Sequence, residues 1–196
     1  MKKLLSVYLV FFLLIMNFSC CNRSKLQCHL EDLMNQELSV PLEKMVCLYS
    51  DIYTNQTNEH KVSQYMYIHY VDSSQCSPCA LDKLYLWNDL ILEFEKKGIH
   101  SCFIFEPKKG QVEDVYLSVK SSGFKSPVYV DTSYCFRKEN SFIPNGILYH
   151  SFGINKKRKI VIIGNPLLNK KVKKLYDELV TNSNLSLIHI SEPTRP

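Results

Sequence analysis

Two cysteines separated by two residues, Cys76-Ser77-Pro78-Cys79, are the side chains of this chain best placed to do chemistry. A thiolate attacks disulfides, and a second thiol within reach resolves the mixed disulfide that forms. The pair follows a continuous aromatic and aliphatic run, 65–71, and precedes Ala80, Leu84, Trp87, Ile91 and Phe94, which recur at helical spacing. That pattern predicts a strand buried on both faces that ends at the motif, and a helix that starts there. Cys76 then lies near a first helical turn, where unpaired backbone N–H groups favour negative charge and stabilise a thiolate. Pro78 costs little near a helix start and stiffens the turn, which keeps Cys79 close enough to bridge.

A pair of this spacing also binds zinc, but a structural zinc site needs four ligands, usually with a second close pair. Cys28, Cys47, Cys102 and Cys135 are scattered, so neither a metal nor another cofactor is expected. A purely structural Cys76–Cys79 bridge is the plainer alternative. Cys102 reads as a small buried hydrophobe, and Cys28 with Cys47 could pair. Cys135 is either a further exchange partner or an incidental thiol. Asp72, Glu106 and Asp131 are acids at strand ends with no catalytic role assigned, and Trp87 and the tyrosines of 65–70 read as core. No phosphate-cradling glycine loop, serine nucleophile signature or zinc-protease helix occurs.

The elements that must position the cysteines follow from periodicity. Lys96, Lys97 and Gly98 end the first helix, and 101–105 is a second strand. Val112, Val115, Tyr116 and Val119 mark a helix over 111–121 stopped by Gly123, after which 128–130 is a third strand. Beyond an irregular stretch, 132–145, the segments 147–154 and 159–163 flank the basic turn Lys156-Lys157-Arg158-Lys159 as an antiparallel hairpin closed by Gly164-Asn165-Pro166. Leu168, Val172, Leu175, Tyr176 and Leu179 line a last helix. Alternating elements followed by a hairpin predict an α/β fold, a mixed β-sheet with helices on both faces.

The ends read differently from the middle. Lys2 and Lys3, an apolar run from Leu4 to Phe18, and Ser19-Cys20-Cys21 have the layout of a bacterial export signal, 1–19. The run is shorter than a spanning helix requires. The small residue before a cysteine resembles a lipobox with Cys20 as the lipid-bearing residue and Cys21 as the alternative, which would tether a soluble domain to the membrane. Residues 20–61 form a tether and a small N-terminal extension, in which Leu30, Leu33, Met34 and Leu38 keep helical spacing. The last residues, 185–196, resemble translated sequencing-adapter read-through and carry no functional expectation.

The 196 residues suffice for one folded domain with a real core. The formal charge of +5 falls to +3 without the signal lysines, which with no clustered basic stripe argues against a nucleic-acid partner. The eight cysteines suit an exported protein in an oxidising compartment.

With these residues in view, 62–184 resembles a thioredoxin-like domain. It is similar in particular to the lipid-anchored periplasmic thiol-disulfide oxidoreductases related to cytochrome c maturation thioredoxins and peroxiredoxins. Cys76-Ser77-Pro78-Cys79, Pro127-Val128-Tyr129-Val130-Asp131 and the hairpin ending in Gly164-Asn165-Pro166 carry the resemblance. It implies Cys76 as nucleophile, Cys79 as resolving thiol, and Ser77 and Pro78 as support. Its implied partners are cysteine-containing envelope proteins and a thiol redox partner, on the periplasmic side of a bacterial envelope. Two positions depart from the family pattern. Gln75 stands where an aromatic residue usually precedes the first cysteine, and the place of the substrate-docking cis-proline falls on Tyr149-His150, with Pro144 the competing candidate. These departures motivate the second functional class, a redox-inactive thioredoxin-like lipoprotein that binds a peptide or protein.

Overall fold

The computed structural model describes residues 24–34, 36–50, 64–74, 80–146 and 149–181. Its strands are β1 (Val46–Leu48), β2 (Tyr65–Val71), β3 (Ile99–Phe105), β4 (Val128–Val130), β5 (Ser151–Asn155) and β6 (Ile160–Ile163). Its helices are α1 (Ser24–Met34), α2 (Asn88–Lys96), α3 (Val112–Ser121), α4 (Cys135–Glu139) and α5 (Lys170–Thr181). The strands form one six-stranded sheet in the order β1-β4-β3-β2-β5-β6. β2, β3 and β4 are parallel, whereas β1, β5 and β6 join antiparallel. β2 therefore stands where parallel pairing with β3 gives way to antiparallel pairing with β5.

Successive side chains of a strand point to opposite faces, so the continuous apolar runs of β2 and β3 supply two cores at once. Tyr67, Phe103 and Phe105 meet Phe94 of α2, Val115 and Val119 of α3 and Tyr176 of α5 on one face. Ile68, Tyr70, Cys102 and Ile104 meet Leu33 and Met34 of α1 and Phe136 of α4 on the other. Helices thus cover both faces of the mixed sheet, as expected. The first core is aromatic: Tyr67 contacts Trp87, Phe94, Phe103 and Tyr176 with ring centroids 5.5 to 6.2 Å apart. Burying each such ring contributes about 1.5–3 kcal/mol relative to leaving it in water.

Several elements differ from the periodic pattern. The helix expected directly after the cysteines is interrupted: a turn at 82–83 leads into a 3-10 segment, Leu84–Trp87, and α2 begins only at Asn88. Leu84, Trp87, Ile91 and Phe94 still face the core, because both helix types bury residues three or four apart. Gly98, at φ +71, closes the stretch in the left-handed conformation. In α3 only Val115 and Val119 are buried, and Val112 is 44% exposed, since this helix covers the β4 side of the sheet with a narrow stripe. Leu168 is 80% exposed and precedes α5. At the hairpin's close, Gly164 has φ +130, and a Cβ there would come within 2.9 Å of Val172, so a side chain would force α5 away from β6.

The N-terminal extension is built into the domain. α1 covers the second face, Leu38 N–H donates to the Arg158 carbonyl at 2.9 Å, and β1 adds the edge strand beside β4. The irregular stretch after β4 contains α4, whose five residues are too few for a periodic signal.

Candidate functional site

Cys76, Ser77, Pro78 and Cys79, together with Gln75, lie outside the described residues, as do Cys20 and Cys21. The structure describes what surrounds the motif in the chain: Asp72, Ser73 and Ser74 on one side, Ala80 and Leu81 on the other. Cys28, Cys47, Cys102 and Cys135 are free thiols. Burial pushes the Cys102 thiol far up, which makes it inert as a nucleophile.

The register of the parallel strands produces a feature that linear spacing conceals. Val71 pairs with Phe105 and Phe105 with Val130, so the next residue of each strand, Asp72, Glu106 and Asp131, falls in one row. The ladder runs on into this row: Glu106 N–H donates to the Val71 carbonyl and Asp131 N–H to the Phe105 carbonyl, each at 2.8 Å. All three carboxylates are buried, at 4%, 2% and 0% exposure. Buried carboxylates require donors or positive charge, and each has found a different set.

Asp72 accepts the Ser74 amide at 3.0 Å and the Ser74 hydroxyl at 2.5 Å on Oδ1. Its Oδ2 lies 3.2 Å from His150 Nε2 and 3.4 Å from Arg137 Nη1. Burial pushes the Asp72 carboxyl up, but Ser74, His150 and Arg137 together outweigh it and hold the group below its ordinary range. Glu106 accepts the Tyr70 hydroxyl at 2.5 Å, and the Ser73 hydroxyl and amide at 2.6 and 3.3 Å. Asp131 turns to α4: it accepts the amides of Cys135 and Phe136 at 3.0 and 2.8 Å, and Cys135 Sγ lies 3.1 Å from Oδ1. Burial, with Asp131 beside it, raises the Cys135 thiol. Tyr134 enters α4 in the left-handed conformation, φ +59, which lets the chain turn back over the carboxylate that caps the helix.

Of the groove candidates, His150 directly precedes β5 and is held in the sheet. Its carbonyl accepts the Tyr70 amide at 2.7 Å, and its ring meets the Tyr70 ring edge-on at 5.4 Å. Burial lowers the imidazole's pKa; Asp72 opposes that shift and Arg137 reinforces it. Tyr149 turns towards α1, its ring 6.1 Å from that of His29. Pro144 lies in the loop after α4, six residues ahead of His150, and no cis peptide bond occurs among the described residues. On the opposite face, His69 Nδ1 lies 3.0 Å from Ser151 Oγ under Trp87, and burial, with His150 second, holds its pKa down at about 3.

The acids at 72, 106 and 131, with Arg137, were the part of this site that motif spacing did not bring together. A usable signal did exist, since each acid is the first residue past an apolar strand and parallel strands in register align such positions. Among the described residues no group of three or more His, Cys, Asp or Glu side chains is arranged to hold a metal ion, and no helix is long and apolar enough to cross a membrane.

No family model matches the chain, and no curated protein matches it. Similar solved structures include a thioredoxin-like protein in the oxidized form, 12% identical at a TM-score of 0.47, covering 74% of this chain and 97% of that one. An uncharacterized thioredoxin-like protein from Porphyromonas gingivalis is 19% identical at a TM-score of 0.44, covering 65% of this chain and 81% of its own. Peroxiredoxin Q from Xanthomonas campestris is 18% identical at a TM-score of 0.41, with 74% and 94% covered. The fold class, an α/β mixed sheet, stands on this chain's own strand order and register, parallel β4-β3-β2 extended antiparallel by β5-β6.

Proposed function

We propose that the protein is a thiol-disulfide oxidoreductase that exchanges disulfides with protein substrates through Cys76 and Cys79. One positional observation carries this reading. In the sequence the motif joins the carboxyl end of β2, where the sheet passes from parallel to antiparallel pairing, to the helical residues Ala80 and Leu81. From β2 the chain runs on to β3 and β4 on one side while β5 and β6 lie on the other, and crevices outside the carboxyl ends of strands where the order reverses are where open α/β sheets take their ligands.

The chemistry balances on sulfur alone. The Cys76 thiolate attacks one sulfur of a substrate disulfide, and the other sulfur leaves as a thiolate. Cys79, giving up its proton, then attacks the Cys76 sulfur of the mixed disulfide and releases the second substrate thiolate. Two electrons pass from the dithiol to the substrate, and Cys76 and Cys79 end bridged. A thiol redox partner regenerates the pair, and the reverse sequence oxidises a substrate. The signal-like start of the chain and Ser19-Cys20 support a lipid-tethered protein on the periplasmic face of a bacterial envelope, with cysteine-containing envelope proteins as substrates.

The test is reduction of a protein disulfide by the full chain with a thiol donor. The parent is expected to accelerate it and the Cys76→Ser variant to return it to background; equal rates would rule out the mechanism. Gln75, in place of an aromatic residue, favours the second reading, a peptide-binding module. A Cys76–Cys79 bridge that excess thiol reductant fails to open would select that one.

A further inference from the structure

Both serines that lead into the cysteine motif are tied to buried carboxylates. Ser73 donates its hydroxyl and amide to Glu106, and Ser74 donates its hydroxyl and amide to Asp72. Glu106 is completed by Tyr70 of the neighbouring strand. Asp72 is completed from two further elements: His150, just ahead of β5, and Arg137 of α4. The start of β5, the short helix after β4 and the turn before Cys76 therefore converge on one carboxylate.

We propose that Asp72 and His150 are positioning residues for the cysteine pair: the carboxylate holds the Ser73-Ser74 turn that leads into Cys76, and the imidazole, with Arg137, holds the carboxylate. The proposal rests on the exchange reading above and adds to it a named device. Cys76 follows Ser74 by two residues in the sequence, so whatever holds Ser74 acts two residues ahead of the first sulfur. With the imidazole neutral, its Nε2 lies 3.2 Å from Asp72 Oδ2 as a polar contact. Once it is charged, the same contact becomes an ion pair, and the ring then carries a positive charge beside the Arg137 guanidinium. The titratable and charged groups facing the pair are Arg137 from α4, Glu106 from the end of β3, Tyr70 from β2, and His69 from the other face of β2. Acidification that charges His150 therefore alters the grip on Asp72, and through Ser74 the reactivity of the thiol.

The experiment measures alkylation of reduced Cys76 by iodoacetamide in the full chain, read at the peptide level by mass spectrometry across the range in which histidine titrates. The parent profile is expected to carry a step besides the thiol's own ionisation. Asp72→Asn and His150→Gln should both lose that step and change the rate at neutral pH about fivefold, the factor that corresponds to one ordinary hydrogen bond. Asp131→Asn is the control for mere burial, because its carboxylate holds α4 and not the turn; it should melt lower while keeping the parent profile. Should Asp72→Asn fail to fold, His150→Gln and Arg137→Gln, which leave the carboxylate in place, carry the comparison. Profiles superimposable on the parent's in the folded variants would overturn the proposal. A parent whose Cys76 never enters a reversible bridge with Cys79 would instead defeat the exchange reading itself, so the two failures are distinguishable.

Discussion

Asp72 and Asp131 occupy matching places, one residue past β2 and β4 in the same row of the sheet, and both are buried. Their partners divide them. Asp131 spends its oxygens on the amides at the start of α4, a local contact within five residues of chain. Asp72 is gripped by residues 65 and 78 positions away, Arg137 and His150, and holds in turn the serine that leads into Cys76. A strand-end acid thus becomes a helix cap or a link to the site according to what the topology folds over it. Its burial alone does not distinguish the two roles.

The largest effect should come from Asp131→Ala. It strands two buried amides and removes a cap, costing about 3 kcal/mol. Chemical denaturation would measure that loss, while Cys76 alkylation should keep its pH profile; a changed profile would break the distinction between the two acids.

Acid tells the pieces apart next. His69 and His150 have folded pKa values below 6.5, so the unfolded chain binds those protons first and stability falls as pH drops below 6.5, for His69 down to about 3. Each such group steepens the fall by at most about 1.4 kcal/mol per pH unit. Asp72, held below its ordinary value of 3.8, contributes stability that is present above that value and lost only as pH falls beneath it. Melting curves of His69→Gln across this range should show a flatter acid limb than the parent's, and a slope identical to the parent's would remove His69 from the explanation.

Asp72→Asn comes third in its effect on stability, at about 1 kcal/mol, because the amide oxygen still accepts from Ser74 while the charge on Oδ2 is lost. Its signature is in reactivity, with a small change in melting and a large one in thiol alkylation. The smallest effect belongs to Lys44→Gln. Lys44 pairs with Glu139 at the far end of α4 in solvent, and its replacement should leave the melting temperature unchanged. A marked drop would mean that α4 is held from its surface end and not by Asp131.

How much of this was legible in the sequence follows from how far each signal reaches along the chain. The runs of β2 and β3 announce strands because both faces are buried, and the hairpin shows in Gly164 and the basic turn. β1 and α4 are three and five residues long, too short for any period to register. The helix after Cys79 kept its apolar spacing while its backbone changed type, since periodicity reports which residues are buried and says little about the hydrogen bonds between them. Counting back from β6 brings Tyr149-His150 to the opening of the hairpin, within a strand expected over 147–154, whereas β5 begins only at Ser151 and leaves His150 just ahead of it. The partnership of His150 with Asp72 and Arg137 could not be read this way, because contacts between residues so distant in sequence exist only once strand order and register are known.

The central claim is most directly tested by the redox equilibrium of the Cys76–Cys79 pair in the full chain, measured in graded mixtures of reduced and oxidised dithiothreitol with the bridge quantified at the peptide level. A single reversible two-electron transition confined to these two cysteines is the predicted result. A pair that stays bridged in excess reductant, or that never bridges under oxidant, would contradict it.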